Sequence, residues 1–199
     1  MKLSFEEKKD AIIIDIDGTA ALGIAKNRKQ LTAIRHRLAY DYDKCGHDTI
    51  NPMVWMFMSA VIDSNKFPYK IIFLSGRENV TFPGKSERKD KSYRRAYMPG
   101  SDKEYANCYD LTNDWIMACA KSYLPITRWY PGNWDTDWYE LYMRKQGDNR
   151  EDSIVKEEMY LNEIKPKYNV DLVIDDRDQV VKMWRKIGLT CWQVANGNF

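Results

Sequence analysis

The stretch AIIIDIDGTAAL, residues 11–22, runs an aliphatic segment straight into two carboxylates, Asp15 and Asp17, and then into Gly18. An unbroken apolar run suits a strand covered on both faces, as in a parallel sheet, because a half-exposed strand would alternate. A glycine directly after the second aspartate lets the chain turn away at once, which places both carboxylates at the carboxyl end of the strand. Open α/β sheets bind their ligands at that end. Two carboxylates held so close repel each other, and a divalent cation between them removes the conflict.

Similar apolar runs recur along the chain: YKIIFLSG at 69–76, YELYMR at 139–144, VDLVIDD at 170–176 and TCWQVA at 190–195. Helical patterns separate them. NPMVWMFMSAVIDSNK offers Asn51 as an N-cap and Pro52 in the first turn, EDSIVKEEMYLNEIKP stops at Pro166, and RDQVVKMWRKIG closes on Gly188. Strands alternating with helices predict an α/β fold, a three-layer Rossmann-like sandwich around a central parallel sheet. A single domain over residues 1–199 is expected, with its core at about 8–78 and 139–199 and a mostly helical cap or insertion at about 79–138. That insertion is dense in aromatics, among them Tyr93, Tyr97, Tyr105, Tyr109, Trp115, Trp129, Tyr130, Trp134 and Trp138. They can form a small core of their own or stack on bases.

Lys and Arg number 31 against 29 Asp and Glu, so any polyanionic partner must be met by local patches rather than by a global field. Cys45, Cys108, Cys119 and Cys191 form no CxxC pair, and His36 and His47 stand at no metal-ligand spacing from them, which argues against a zinc site or a disulfide framework. The opening MKLSFEEKKD lacks an apolar signal core, and no apolar run is long enough to span a bilayer. The expected setting is soluble, reducing and cytoplasmic, away from membranes.

A second pair, Asp175 and Asp176, ends the 170–176 strand as Asp15 and Asp17 end the first. If the two strands are neighbours, four acidic groups converge, and Mg²⁺ suits them because it prefers oxygen ligands. Ser75, Gly76 and Arg77 end the second strand with a hydroxyl, an accessible backbone N–H and a guanidinium that could grip phosphate. Lys156, early in its own helix, could neutralise a further phosphate oxygen. Each piece alone has a plain structural explanation: a loop, a turn, a helix cap or a solvated face. Their order, three of the four at strand ends, points to one shared phosphate site.

In that order, DIDGT, LSGR, Lys156 and IDDR resemble the four motifs of the haloacid dehalogenase-like phosphohydrolases (HAD-like). YDYDKCGHDTINPMV (40–54), MRKQGDNREDSIVKEE (143–158) and VDLVIDDRDQVVKMWRKIGLTCWQVANGNF (170–199) further resemble the 3′-phosphatase domain of bacteriophage polynucleotide kinase. The likeness covers most of 11–78 and 139–199, while 79–138 matches poorly. It implies that Asp15 is the nucleophile and Asp17 the acid/base, with Lys156 also catalytic. Functional arginines are implied at Arg37 and Arg144, and Asp152 would support Lys156. It also implies Mg²⁺ held by Asp15, Asp17, Asp175 and Asp176. Ala20 and Ala21 depart from the usual Leu-Ala after DGT, and the loop from 22 to 36 is longer, which loosens the Arg37 assignment.

A phosphate-binding loop of the kinase type is not expected: in NVTFPGKS, Asn79 stands where the first glycine would be, so a stand-alone phosphatase is the reading. Residues 26–44 and 85–95 each carry six basic against two acidic side chains, suited to tracking a nucleic-acid backbone or simply to a solvated surface. The expected function is Mg²⁺-dependent hydrolysis of terminal 3′-phosphates of nucleic acid, DNA or RNA, or of 3′-nucleotides, through an aspartyl-phosphate in nucleic-acid end repair. Two alternatives stay open, a nucleotide monophosphatase on the same core and a non-enzymatic end-binding module. A homo-oligomer is possible.

Overall fold

A computed structural model of the chain describes residues 8–22, 42–63, 69–83, 96–124 and 138–197. Five strands, β1 (Lys9–Ile14), β2 (Lys70–Glu78), β3 (Tyr139–Arg144), β4 (Tyr168–Asp175) and β5 (Cys191–Gln193), form one sheet in the order β3-β2-β1-β4-β5. Every pairing is parallel. The chain moves outward from β1 through β2 to β3, then returns to the other side of β1 with β4. The reversal leaves a crevice beyond the carboxyl ends of β1 and β4, the place where such sheets take ligands. The expected parallel α/β sheet is therefore present.

Strand geometry divides the aliphatic run between two faces, because successive side chains point to opposite sides. Ile12 and Ile14, with Ile71 and Phe73, meet Val54, Trp55 and Met58 of α1 (Pro52–Asp63) and Trp115, Ile116 and Ala120 of α2 (Cys108–Tyr123). Ala11 and Ile13, with Ile72 and Leu74, meet Val155 and Met159 of α3 (Asp152–Met159) and Val180, Val181 and Trp184 of α4 (Asp178–Lys186). Two helical layers thus enclose the sheet, which explains the unbroken apolar sequence. The α1 start is as read: Asn51 Oδ1 accepts from Met53 N at 3.3 Å, with Pro52 as the first helical residue.

The structure departs from the sequence reading in several details. β1 stops at Ile14 rather than Asp17, because Ala20 N–H donates back to Asp15 O and Ala21 N–H to Ile16 O, closing a tight turn around Gly18. The segment 151–166 is not one α-helix. After Met159 it widens into a π turn, Tyr160–Ile164, in which Lys165 N–H reaches Tyr160 O just before Pro166. Within 79–138, α2 lies on the main sheet layer beside α1, and Phe82, Ala96, Tyr105, Cys108 and Leu111 gather with Cys45 in a small separate cluster. Of the aromatics there, Tyr105, Trp115 and Trp138 are buried, a placement for packing rather than base stacking. Tyr93, Trp129, Tyr130 and Trp134 lie outside the described residues. Among the described residues no helix is long and apolar enough to cross a membrane.

Candidate active site

Asp15 is the first residue past β1, fixed by its N–H donating to Ile174 O of β4 at 2.9 Å. Asp175 ends β4, and Asp176 follows it. Ligand oxygens of Asp15, Asp175 and Asp176 lie within 4.8 Å of one another, and all three residues are buried. Lys156 reaches across from α3, its side chain only 3% exposed, and donates from Nζ to Asp15 Oδ1 at 2.6 Å and to Asp175 Oδ2 at 2.8 Å. Burial works against the ammonium, but the charges of Asp15 and Asp175 outweigh it and hold its pKa above the ordinary lysine value. Burial likewise drives the Asp15 carboxyl well above the usual aspartate value, against the pull of Lys156 and helped by Asp175 and Asp176.

One ammonium among three buried carboxylates leaves an excess of negative charge. The atoms that converge there are carboxylate oxygens of Asp15, Asp175 and Asp176, a set that fits a hard divalent cation such as Mg²⁺. Gly18 makes this convergence possible. Its φ is +87°, and a Cβ there would lie 2.0 Å from Asp176 Oδ2, so both the turn and the space belong to glycine. Asp17 is not part of the carboxylate trio.

Instead Asp17 faces Arg77. Arg77 Nε donates to Asp17 Oδ2 and Nη2 to Asp17 Oδ1, both at 2.7 Å, while the Asp17 side chain remains 48% exposed. Arg77 Nη2 also donates to the buried Asp48 Oδ2 at 2.7 Å, and Nη1 reaches Thr112 Oγ1 at 3.4 Å. Burial opposes the guanidinium, yet Asp17 keeps its pKa above the ordinary arginine value. Arg77, expected to grip phosphate, has its guanidinium fully buried and bonded to Asp17, Asp48 and Thr112. The cause is a β-bulge. Register passes from Ser75 paired with Met143 to Glu78 paired with Arg144, leaving Gly76 and Arg77 unmatched and re-aiming the arginine inward.

Ser75 is buried, and its Oγ accepts from Arg77 N at 3.1 Å. Gly76 sits against Asp152, where a Cβ would lie 2.7 Å from Oδ1. Asp152, at the start of α3, bonds to Arg144 Nη2 at the end of β3 and to Arg177 Nη1 in the loop after β4. Asp152, expected to support Lys156, is held by two arginines, while Lys156 pairs with Asp15 and Asp175. Arg144 further donates to Asp148 O at 2.9 Å and Arg150 O at 2.8 Å, holding the β3–α3 loop, and its Nε is buried without a hydrogen-bond partner. Arg37 and the basic run 85–95 lie outside the described residues, as does most of 26–44.

Asp48 and Arg177 were not singled out from sequence. Both sit inside segments that carry the resemblance, but neither spacing nor composition distinguishes Asp48 from a residue leading into α1. Because Asp17 depends on a two-pronged guanidinium, Arg77→Lys should lower kcat by roughly 100-fold: an ammonium keeps the charge but cannot hold both Asp17 oxygens and Asp48 together. Steady-state kinetics beside a thermal melt check this. An unaltered kcat in a folded variant would free Asp17 from any dependence on Arg77.

The family model described as the polynucleotide kinase PNKP phosphatase domain matches residues 9–117 and 112–199. A protein of Autographa californica nuclear polyhedrosis virus, assigned as a candidate bifunctional polynucleotide kinase/RNA ligase, is 34% identical over 88 residues, which is 43% of this chain and 12% of that protein. Among solved structures, a chain of a Pnkp1/Rnl/Hen1 complex aligns with all of this chain at a TM-score of 0.61 and 27% identity. A chain of the Pnkp1/Rnl/Hen1 RNA repair complex aligns over the same full length at 0.61 and 26%. This chain spans 51% and 48% of those two, about half of each.

Proposed function

The chain belongs to the family of polynucleotide kinase PNKP phosphatase domains, and from that membership we propose that it is a Mg²⁺-dependent polynucleotide 3′-phosphatase working through an aspartyl-phosphate. The observation that carries the reading is the division of the two DIDGT carboxylates between unlike environments. Asp15 is buried with Asp175, Asp176 and Lys156, whereas Asp17 is half exposed on Arg77. Two carboxyl groups in such different surroundings can take separate roles, nucleophile and proton carrier.

In the first step an Asp15 carboxylate oxygen bonds to phosphorus, the bond from phosphorus to the 3′ oxygen breaks, and Asp17 delivers a proton to that oxygen. In the second step Asp17 takes a proton from water, whose oxygen bonds to phosphorus as the acyl phosphate breaks, releasing phosphate and restoring the Asp15 carboxylate. Arg77 orients Asp17 and favours the ionised form that takes the proton from water, and one of its two bonds would open while Asp17 carries a proton. The Ser75 hydroxyl and Gly76 N–H, beside the crevice, would bind phosphoryl oxygens, and Lys156 offsets the charge on Asp15. Mg²⁺, held by Asp15, Asp175 and Asp176 with the backbone of Asp17, would supply the neutralising charge that phosphoryl transfer requires. Nucleic-acid ends as substrate are supported by the family and by the likeness to chains of a complex named for RNA repair.

The test is phosphate release from oligonucleotides bearing a 3′ or a 5′ phosphate, and from 3′ and 5′ mononucleotides, each with Mg²⁺ or with chelator. Release is expected from the 3′-phosphorylated oligonucleotide, and less efficiently from the 3′ mononucleotide, but not from the 5′ substrates, and chelator should abolish it. Efficiency on the oligonucleotide should fall with added salt more steeply than on the 3′ mononucleotide, because only a chain of phosphates releases several counterions. Equal salt dependence favours a nucleotide monophosphatase, and preference for 5′ ends overturns the 3′ assignment.

A further inference from the structure

The loop that carries Asp175 and Asp176 is held from behind by the segment after β5. Val194 N–H donates to Asp175 O at 3.1 Å, and Gly197 O accepts from Asp178 N at 2.9 Å. The Gln193 side-chain amide donates from Nε2 to Asp176 O at 3.0 Å and to Asp178 Oδ1 at 2.6 Å. Gly197 is itself buried and packs so tightly that a Cβ would lie 1.8 Å from Asp176 O and 2.6 Å from Arg177 Cα. Its backbone angle does not call for glycine; only the lack of space does.

Asp176 is therefore confined at both ends. Its carboxylate meets Gly18, where a Cβ would lie 2.0 Å from Oδ2, and its carbonyl meets Gly197 and the Gln193 amide. Neither Gln193 nor Gly197 reaches the phosphate crevice through a bond of its own. We propose that Gln193 and Gly197 are positioning residues for the metal: they clamp the backbone of Asp175–Asp178 so that the Asp176 carboxylate meets those of Asp15 and Asp175. This rests on the Mg²⁺ reading above and goes beyond it, by extending the metal centre to a strand edge that carries none of its ligands. Outer groups that orient a ligand typically govern metal affinity strongly, about 10- to 100-fold when removed.

The experiment is isothermal titration calorimetry of the full chain with Mg²⁺ alone, which reads metal affinity without turnover. Gln193→Ala and Gly197→Ala are expected to weaken Mg²⁺ binding by about 10- to 100-fold relative to the parent. Gln193→Glu should weaken it further, since its carboxylate would face Asp176 O and the Asp178 carboxylate. Cys191→Ala is the control: it removes a buried atom from the same β5 strand and should lower the melting temperature, yet leave affinity within about twofold of the parent. Should Gly197→Ala fail to fold, the Gln193 variants decide. Affinity unchanged in both Gln193 variants, or lost equally in Cys191→Ala, overturns the proposal while leaving the metal centre standing. A parent that takes up no Mg²⁺ overturns the metal centre itself, and the proposal with it.

Discussion

Asp15→Asn is expected to lower kcat on a 3′-phosphorylated oligonucleotide by on the order of 10⁴- to 10⁶-fold, the range seen when single members of a catalytic unit are removed. The amide has the shape of the carboxylate but not its nucleophilic oxygen, so no acyl phosphate can form. The same substitution should raise the melting temperature of the metal-free protein. Burial pushes the Asp15 carboxyl well above its ordinary pKa, so its stabilising share is complete only below the unfolded aspartate pKa, about 3.9, and is lost as pH rises through the folded value. At neutral pH the carboxylate is a burden that the amide removes, while Lys156 keeps Asp175. Turnover kinetics and melts in chelator read the two effects separately. A variant that retains substantial turnover would dismiss Asp15 as nucleophile, whatever its stability.

Lys156→Met should act in the opposite direction on the fold. With the lysine side chain 3% exposed and paired to two buried carboxylates, removing one partner of so buried an arrangement costs about 3–5 kcal/mol. The deficit has a pH signature. In the parent, Lys156 has a raised pKa, so its contribution is fully present below the ordinary lysine value, about 10.4, and is lost only as pH rises past that into the folded range. In the variant the Asp15 carboxyl, already raised by burial, loses the Lys156 charge that pulled its pKa down, so stability should recover as pH falls and Asp15 takes up a proton. Chemical denaturation at pH 7 and near pH 5 measures both. Mg²⁺ should also restore part of the lost stability, because it binds only the folded trio. A variant as stable as the parent at pH 7 would show that the trio does not depend on Lys156 for charge balance.

How far local sequence could go is clearest at β1. An unbroken aliphatic run can only be a strand covered on both faces or a buried helix, and the flanking D-x-D-G-T sets its end. From this followed the parallel sheet, the helical layers and the placement of Asp15 and Asp175 at strand ends, whereas the adjacency of those two strands, a condition in the sequence reading, is shown by the β1–β4 pairing. Arg77 shows where that reasoning stops. As a sequence, LSGR looks like a strand end offering its guanidinium to a phosphate. Only the pairing of β2 with β3 creates the bulge at Gly76 and Arg77, and only the fold brings Asp48 and Thr112 to the place where the guanidinium then points.

Asp152 and the segment after β5 belong to the same class. The partners of Asp152, Arg144 and Arg177, come from the ends of β3 and β4, and Gly197 acquires its importance from a carbonyl twenty-one positions earlier. Periodicity and turn chemistry act between near neighbours in the chain, so they sufficed for the strands, for α1 and α4 and for the residues at strand ends, but not for α2 on the sheet or the π turn after Met159. Which buried charge meets which, and which glycine leaves room for a carboxylate, is settled by contacts between distant segments. Those contacts exist only once burial has removed water and made every unpaired charge costly.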